Sequence, residues 1–468
     1  MVSRKGPVGG SELLVEIDHA SQLPLHEQLE RSLRADIRDG RLPADTRLPS
    51  TRRLAAELGV SRGVVSEAYG QLAAEGYIET RQGAAVRVAR TVRGAASRNA
   101  ARSMTPSFQY DFHPGLPDLA SFPRDRWLRS LRVALRESPT DAVGYGDPRG
   151  VPQLREGLAG YLARVRGVAA DPEDTLICSG FRQGFSILCR WLCAQGIEAV
   201  AVEDPGWHVA RLIVDQQGLR IIPVPVDEEG LCVDALAATD AQAVLVTPAH
   251  QYPTGAVLSR DRRAMLIEWA EQGERLIIED DFDSELRYEG AAVGALQGLA
   301  PERVLYIGSA SKRLLPGMRL GWLLIPSWLT WALISRKAIE DGGSEVIGQL
   351  ALHDFINRGE LDRHIRRMRL RYRARRNTLL QALEQSLPEA TPRGAPAGLY
   401  ELVLLPDRVN ERRLLDAAAA RGVGFEGLAL HSFATSEPPG IILGYGNLPE
   451  PAIERGCRLI AQAVEDSA

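Results

Sequence analysis

The chain has 468 residues, 45% of them hydrophobic and 25% charged, with a net charge of -4 and five cysteines. That length exceeds one typical domain, the balance is that of a soluble globular protein, and the charge excludes a wholly basic nucleic-acid coat but not a local basic face. Sparse cysteines exclude a disulfide scaffold. Cys189 and Cys193 have a helical rather than a zinc-ribbon spacing, so no metal site is expected. All five (Cys178, Cys189, Cys193, Cys232, Cys457) are expected to be buried free thiols in a reducing cytoplasm. Met1 to Gly10 is polar, without the apolar core of a secretory signal, and no apolar run approaches the ~18–20 residues needed to span a bilayer. No membrane association is expected.

Residues 12–89 read as short helices followed by a hairpin. Leu25, Leu29, Leu33 and Ile37 form a helical stripe over Leu25 to Arg38, opened by Pro24 and stopped by Gly40. Ser50 then caps a helix whose inner face is Leu54, Ala55 and Leu58. Gly59 supplies a turn, and Ser61 caps a further helix with Val65, Ala68, Tyr69 and Leu72 inward. Two short helices joined by a tight Gly-containing turn form a helix-turn-helix. Tyr77–Thr80 and Ala85–Val88 pair as a wing around Gln82-Gly83. The runs Arg47-Leu48-Pro49-Ser50, Val60-Ser61-Arg62 and Ala74-Glu75-Gly76-Tyr77 resemble the winged helix-turn-helix of GntR-type regulators. The resemblance implies that Arg52, Arg53, Ser61 and Arg62 face double-stranded promoter DNA, and that Gly83 lets the wing approach the minor groove. Gly63 and Val64 stand where hydroxyl residues are usual, and Ala84-Ala85 where Ser-Gly is common, which predicts fewer direct contacts. A protein-interaction winged helix is the alternative.

Residues 90–108 are rich in Ala, Arg and Ser. With four arginines and no acid between Arg90 and Ser107, this stretch cannot build a core and reads as a flexible linker.

From residue 109 to 468, short apolar runs alternate with helical patterns: Ala199–Val202, Ala243–Val246, Leu276–Ile278 and Val304–Ile307. This predicts an α/β fold with a mostly parallel sheet. Ser179-Gly180-Phe181-Arg182-Gln183 opens an apolar helix, and helix N-termini bind phosphate. Trp207, in Asp204-Pro205-Gly206-Trp207-His208, either covers a ring or is a plain core residue. Thr247 to Gly255 follows a strand and carries His250 and Gln251, with a ring-edge hydrogen-bonding role expected for His250. Leu276 to Asp283 ends in carboxylates at the strand edge where α/β ligands sit. Asp280 is the candidate partner of a pyridine nitrogen, which a buried aspartate keeps protonated. A surface acid cluster is the reading for Glu279 and Asp283. Ser309-Ala310-Ser311-Lys312 through Pro316-Gly317-Met318-Arg319-Leu320-Gly321 directly follows a strand. A lysine so placed fits Schiff-base chemistry with an aldehyde, and Arg319, Ser309 and Ser311 supply the charged fork and small donors a phosphate needs. Lys312 is therefore the candidate catalytic residue and pyridoxal 5'-phosphate (PLP) the candidate cofactor. The basic run Arg363 to Arg376 reads as the solvated face of an amphipathic helix, with a second DNA surface as the alternative.

These motifs, in this order, resemble a fold-type I PLP enzyme of the aminotransferase class with a smaller C-terminal α+β subdomain. The fusion to a winged helix is similar to the MocR subfamily of GntR regulators. The resemblance implies that Tyr145, in Tyr145-Gly146-Asp147-Pro148-Arg149-Gly150, reaches the phosphate in a partner subunit of a homodimer. Two departures stand out. Phe282 replaces a tyrosine that bonds the cofactor's phenolic oxygen, and Ile442 occupies the position of the arginine that clamps a substrate carboxylate. Arg393 and His431 are candidate substitutes for that arginine. The expectation is a PLP-dependent transcriptional regulator that senses an amine, an amino acid or PLP itself through a cofactor aldimine. The alternative is an aminotransferase with an accessory DNA-binding module.

Overall fold

A computed structural model describes residues 17–18, 21, 23–80, 85–89, 108–290, 292–434 and 438–467. The chain divides between Pro106 and Ser107 into two compact units. The linker expected over 90–108 falls outside the described residues except at its last position, as does Gly83.

The first unit holds helices α1 (Leu25–Arg38), α2 (Thr51–Leu58) and α3 (Arg62–Ala74). Ser50 and Ser61 cap α2 and α3, each side-chain oxygen accepting from the backbone N–H three residues on, at 3.3 and 3.4 Å. Gly59 adopts φ 65°, a left-handed conformation that closes the turn without a Cβ clash. Leu29, Leu33, Ile37, Leu54, Val65 and Leu72 are buried together. The wing strands, β1 (Ile78–Glu79) and β2 (Arg87–Val88), are shorter than the alternation predicts. Residues 45–48 add to β2, with Leu48 N–H donating to Val86 O at 2.9 Å and Val88 N–H to Thr46 O at 3.0 Å.

The second unit opens with β3 (Tyr110–Asp111) and is built on an eight-stranded sheet. Its strands are β4 (Thr175–Cys178), β5 (Ala199–Asp204), β6 (Arg220–Asp227), β7 (Gly230–Leu231), β8 (Ala243–Val246), β9 (Leu276–Asp281), β10 (Val304–Ser309) and β11 (Gly321–Leu324), in the order β4-β11-β10-β9-β8-β5-β6-β7. The run from β10 through β9, β8 and β5 to β6 is parallel, as the apolar runs predict. Both faces are covered. Val200 and Val202 enter one core cluster and Ala199 and Ala201 another, and Leu245 and Val244 divide in the same way. A smaller antiparallel sheet follows: β12 (Thr391–Arg393), β13 (Tyr400–Leu404), β15 (Glu426–Gly427) and β16 (Gly440–Gly444). The intervening β14 (Val423–Gly424) pairs with β3. This is the fold-type I aminotransferase architecture.

Two expectations need correction. Only Cys178, Cys189 and Cys457 are buried, because Cys193 lies in the exposed last turn of the helix Phe181–Ala194 and Cys232 is half-buried. The basic run is not merely a solvated face. It lies on the helix Glu360–Ser386, where Arg375 is buried against Asp118 at 2.8 Å and Arg376 clamps Glu401 at 2.8 and 3.0 Å. An uncompensated acid inside the small subdomain would be costly, so these arginines have structural work.

Candidate functional sites

In the first unit Arg52, Arg53, Ser61 and Arg62 are all exposed, on the first turns of α2 and α3 or at the cap between them. Arg53 Nε donates to Glu57 at 2.7 Å and Arg62 Nε to Thr51 Oγ1 at 3.4 Å, while Arg52 has no partner among the described residues. The Tyr69 hydroxyl donates to Pro49 O at 3.0 Å and ties α3 to the start of α2. The N-terminus of α3 therefore offers unpaired N–H groups beside a guanidinium, an arrangement suited to phosphates and base edges.

In the second unit the carboxyl ends of β8, β9 and β10 meet the small subdomain around a cavity of about 580 Å3. Its walls bring together Phe181, Arg182, Trp207, Asp280, Ser309, Ser311, Lys312 and Arg319. Lys312 Nζ donates to Gly115 O at 2.6 Å. Burial pushes this amine below its ordinary range, and the carboxylates of Asp283, Asp280 and Glu426 oppose the shift. A desolvated lysine is the one that loses its proton and becomes nucleophilic.

Asp280 has no hydrogen-bond partner among the described residues. Burial, then the charges of Asp281 and Asp283, push its carboxyl well above the usual range, with Lys312 opposing. A cation placed in the cavity would relieve that penalty. Alternation along β9 separates the neighbouring acids. Asp281 turns away, accepting from Arg166 Nε and the Tyr306 hydroxyl at 2.6 Å each. Burial raises Asp281, but Arg166 and Arg313 more than offset this and hold it at about 2. The surface-cluster reading fails for both other acids. Glu279 is fully buried and accepts from the Leu296 and Gln297 N–H groups at 3.0 Å, and Asp283 is buried against His250.

At the opposite end, the helix Phe181–Ala194 opens on the cavity beside Ser309, Ser311 and Arg319. Gly180 has φ 99°, and a Cβ there would lie 3.6 Å from the Arg319 guanidinium. A Cβ on Gly321 would fall 2.5 Å from Gly180 Cα. Two glycines thus let a helix N-terminus, two hydroxyls and a guanidinium converge, a donor set that matches a phosphate. Lone carboxylate, desolvated lysine and phosphate cradle together fit PLP.

With the exception of Phe282, the other expected residues stand apart from the walls. His250 is buried, its Nδ1 3.1 Å from both Asp283 oxygens and its ring 4.9 Å from that of Tyr400. Gln251 is buried, donating to Glu203 at 3.2 Å and to Pro205 O at 2.9 Å, so it braces two loops behind the site. Tyr145 is fully exposed and does not line this chain's own cavity. Phe282 lines the cavity with a ring that cannot hydrogen-bond. Ile442 is buried among Tyr252, Tyr400, Leu402 and Leu428. Arg393 is exposed and paired with Glu228 at 2.9 Å. His431 is buried behind the wall, its Nε2 3.0 Å from Glu426.

Gly115, Tyr400 and Glu426 line the cavity without having been singled out, and so does Asp283, which the sequence places in a surface acid cluster. Of these, Glu426 carried a signal: it is the lone acid in the apolar run Val423 to Leu428. A buried polar residue is the informative exception in such a run.

Residues 25–88 match the family described as "Bacterial regulatory proteins, gntR family", and residues 120–423 match "Aminotransferase class I and II". The probable rhizopine catabolism regulatory protein MocR of Rhizobium meliloti is 32% identical, over 96% of this chain and 96% of that protein. The HTH-type pyridoxine biosynthesis transcriptional regulator PdxR of Corynebacterium glutamicum is 34% identical, over 97% and 99%. Kynurenine aminotransferase of Pyrococcus horikoshii, solved in complex with PMP, superposes with a TM-score of 0.71 at 26% identity, over 77% of this chain and 92% of that one.

Proposed function

The chain belongs to the MocR-type GntR transcriptional regulators, and from that premise we propose that it binds promoter DNA through the α2–α3 face and holds PLP at Lys312, in a cavity that also admits a small amine-bearing effector. The observation that carries this reading is the pairing of Lys312, desolvated and held by Gly115, with the partnerless Asp280 across one cavity. When bound, PLP supplies an aldehyde that combines reversibly with primary amines. Asp280 is the counter-charge to the pyridine nitrogen. Ser309, Ser311, Arg319 and the first N–H groups at Phe181 and Arg182 hold the phosphate, and Trp207 walls one side. The exposed Tyr145 is available to a second subunit, which supports a homodimer with two winged helices for a repeated or palindromic DNA site.

An effector controls DNA binding only by favouring one of two states of the protein. An amino-transfer enzyme is the second reading. Phe282 in the wall and the aliphatic Ile442 weigh against it, since neither makes the polar contact expected there.

The test is footprinting of the full chain with and without PLP and amines, alongside absorbance. A protected site and a visible band that disappears in Lys312→Ala are expected. No specific protection under any condition would sink the regulatory reading, and a band retained in Lys312→Ala would sink the assignment of Lys312.

A further inference from the structure

The end of the cavity away from the phosphate cradle has an unusual charge. Ile442, at the position where the resemblance places a carboxylate-clamping arginine, sits on β16 directly across from Glu426 on β15. Cross-strand partners project from the same face of a sheet. The site of an expected cation is therefore aliphatic, and its immediate neighbour presents a carboxylate to the cavity.

Glu426 is fixed in place. One of its oxygens, Oε2, accepts from the Tyr252 hydroxyl at 3.1 Å and lies 3.0 Å from His431 Nε2. Burial raises its carboxyl, but the contacts with His431 and Tyr252 outweigh this and keep it below its ordinary range. The shift favours the charged carboxylate, and both printed contacts fall on Oε2 of this cavity-lining residue. Among the described residues, no arginine pairs with Glu426. His208, also in the wall, is pushed below its usual range by burial, with His431 adding to the shift. Arg182 is exposed on the first turn of its helix, its guanidinium 5.9 Å from the Trp207 ring centre, and it adds a small part to the downward shift of His208. Arg393 is committed to Glu228 outside the cavity.

We infer that Glu426 selects the effector: the cavity takes a carboxylate-free amine with a second cationic nitrogen, a short diamine being the simplest member, with one amine at Lys312 and the distal ammonium at Glu426. An amino acid of equal length would place its carboxylate against Glu426, with no guanidinium at position 442 to offset it, so like charge rejects it. This rests on the proposed role of the cavity as an effector site.

The experiment is calorimetric titration of the PLP-loaded full chain with 1,4-diaminobutane, 4-aminobutanoate and butylamine, with DNA affinity measured at saturation of each. The diamine should bind about tenfold or more tightly than the other two, the factor one charge-assisted contact supplies. In Glu426→Gln its margin over butylamine should collapse to about twofold. Equal or tighter binding of 4-aminobutanoate, an unchanged margin in Glu426→Gln, or no binding of any of the three would overturn the inference. If Glu426→Gln does not fold, the ranking by the unaltered chain decides alone. The absorbance band and DNA protection without amines report on the underlying reading, so the two can fail separately.

Discussion

The side chains proposed to face DNA in the first unit, Arg52, Arg53, Ser61 and Arg62, lie close together in sequence and are exposed. The cavity of the second unit draws Gly115, Arg182, Asp280, Lys312 and Glu426 from across the chain and gathers them around one cleft, with Arg182 exposed and the others half-buried. The first arrangement needs two caps, a turn and a small apolar core. The second needs charges held in low dielectric, some compensated by a buried partner, as Glu426 is by His431, and one, Asp280, left without a side-chain hydrogen bond among the described residues. Exposed charges are worth little and buried ones a great deal once a partner is removed. Substitutions should therefore act weakly and locally in the first unit and strongly in the second.

Arg313 offers the largest break in that comparison. Its side chain is fully buried, its Nε donates to Glu285 at 2.8 Å and a terminal nitrogen lies 3.9 Å from Asp281. Tyr161 adds a 2.7 Å hydrogen bond to Glu285 and Tyr306 one of 2.6 Å to Asp281. Arg313→Ala leaves Glu285 without its guanidinium and Asp281 with Arg166 alone. A loss of about 3–5 kcal/mol is expected in chemical unfolding of the second unit. A loss below about 1 kcal/mol would mean that water reaches the network and that the contrast between the units is overstated.

A smaller effect is read by pH. Glu203 is buried, and burial pushes its carboxyl up to about 7 despite hydrogen bonds from Thr247 and Gln251. A raised acid is neutral in the folded chain below that value, so folding holds the extra proton and stability falls as pH rises from the unfolded value of about 4.5 towards 7. Glu203→Gln removes the titration. Its stability relative to the unaltered chain should climb by up to about 3 kcal/mol over that window and then level off. A difference that stays flat with pH would show Glu203 ionised in the fold. Asp281, held at about 2, has the opposite sign: its contribution is present above about 4 and lost only as pH falls towards 2.

The same contrast decides what was legible in the sequence. Caps and apolar periodicity act over three or four residues, so α1, with the bounds Leu25–Arg38, and the capping serines of α2 and α3 could be read directly. The parallel strands were legible because both faces are buried, which makes them continuous apolar runs. The strand-end motifs carrying Lys312, Asp280, Ser309, Ser311 and Arg319 were legible, and the fold brings these residues to one cavity. Contacts between distant segments were not. Nothing in the chain near Lys312 announces Gly115, and nothing near Ile442 announces that Glu426 will sit across from it. His250 and Gln251 share a loop with wall residues, but local sequence does not say which side chains of a turn face inward. The arginines of the helix Glu360–Ser386 looked solvated because their acids, Asp118 and Glu401, lie on other elements.

The smallest effect asks whether the first unit's weak contacts serve more than folding. Ser50 and Ser61 make equivalent cap hydrogen bonds, at 3.3 and 3.4 Å, so each Ser→Ala change should cost about 1 kcal/mol of stability in the first unit. Neither should alter the Lys312-dependent absorbance, since both lie in the other compact unit. Their effects on DNA should differ. Ser61 opens α3 beside Arg62 and is itself among the residues proposed to face DNA, whereas Ser50 opens α2 and is not. Ser61→Ala should weaken DNA binding more than Ser50→Ala at equal loss of stability, as fluorescence anisotropy with a footprinted site can measure. Equal weakening would reduce Ser61 to a cap and leave the arginines to carry recognition, making the first unit a reader of phosphates more than of bases.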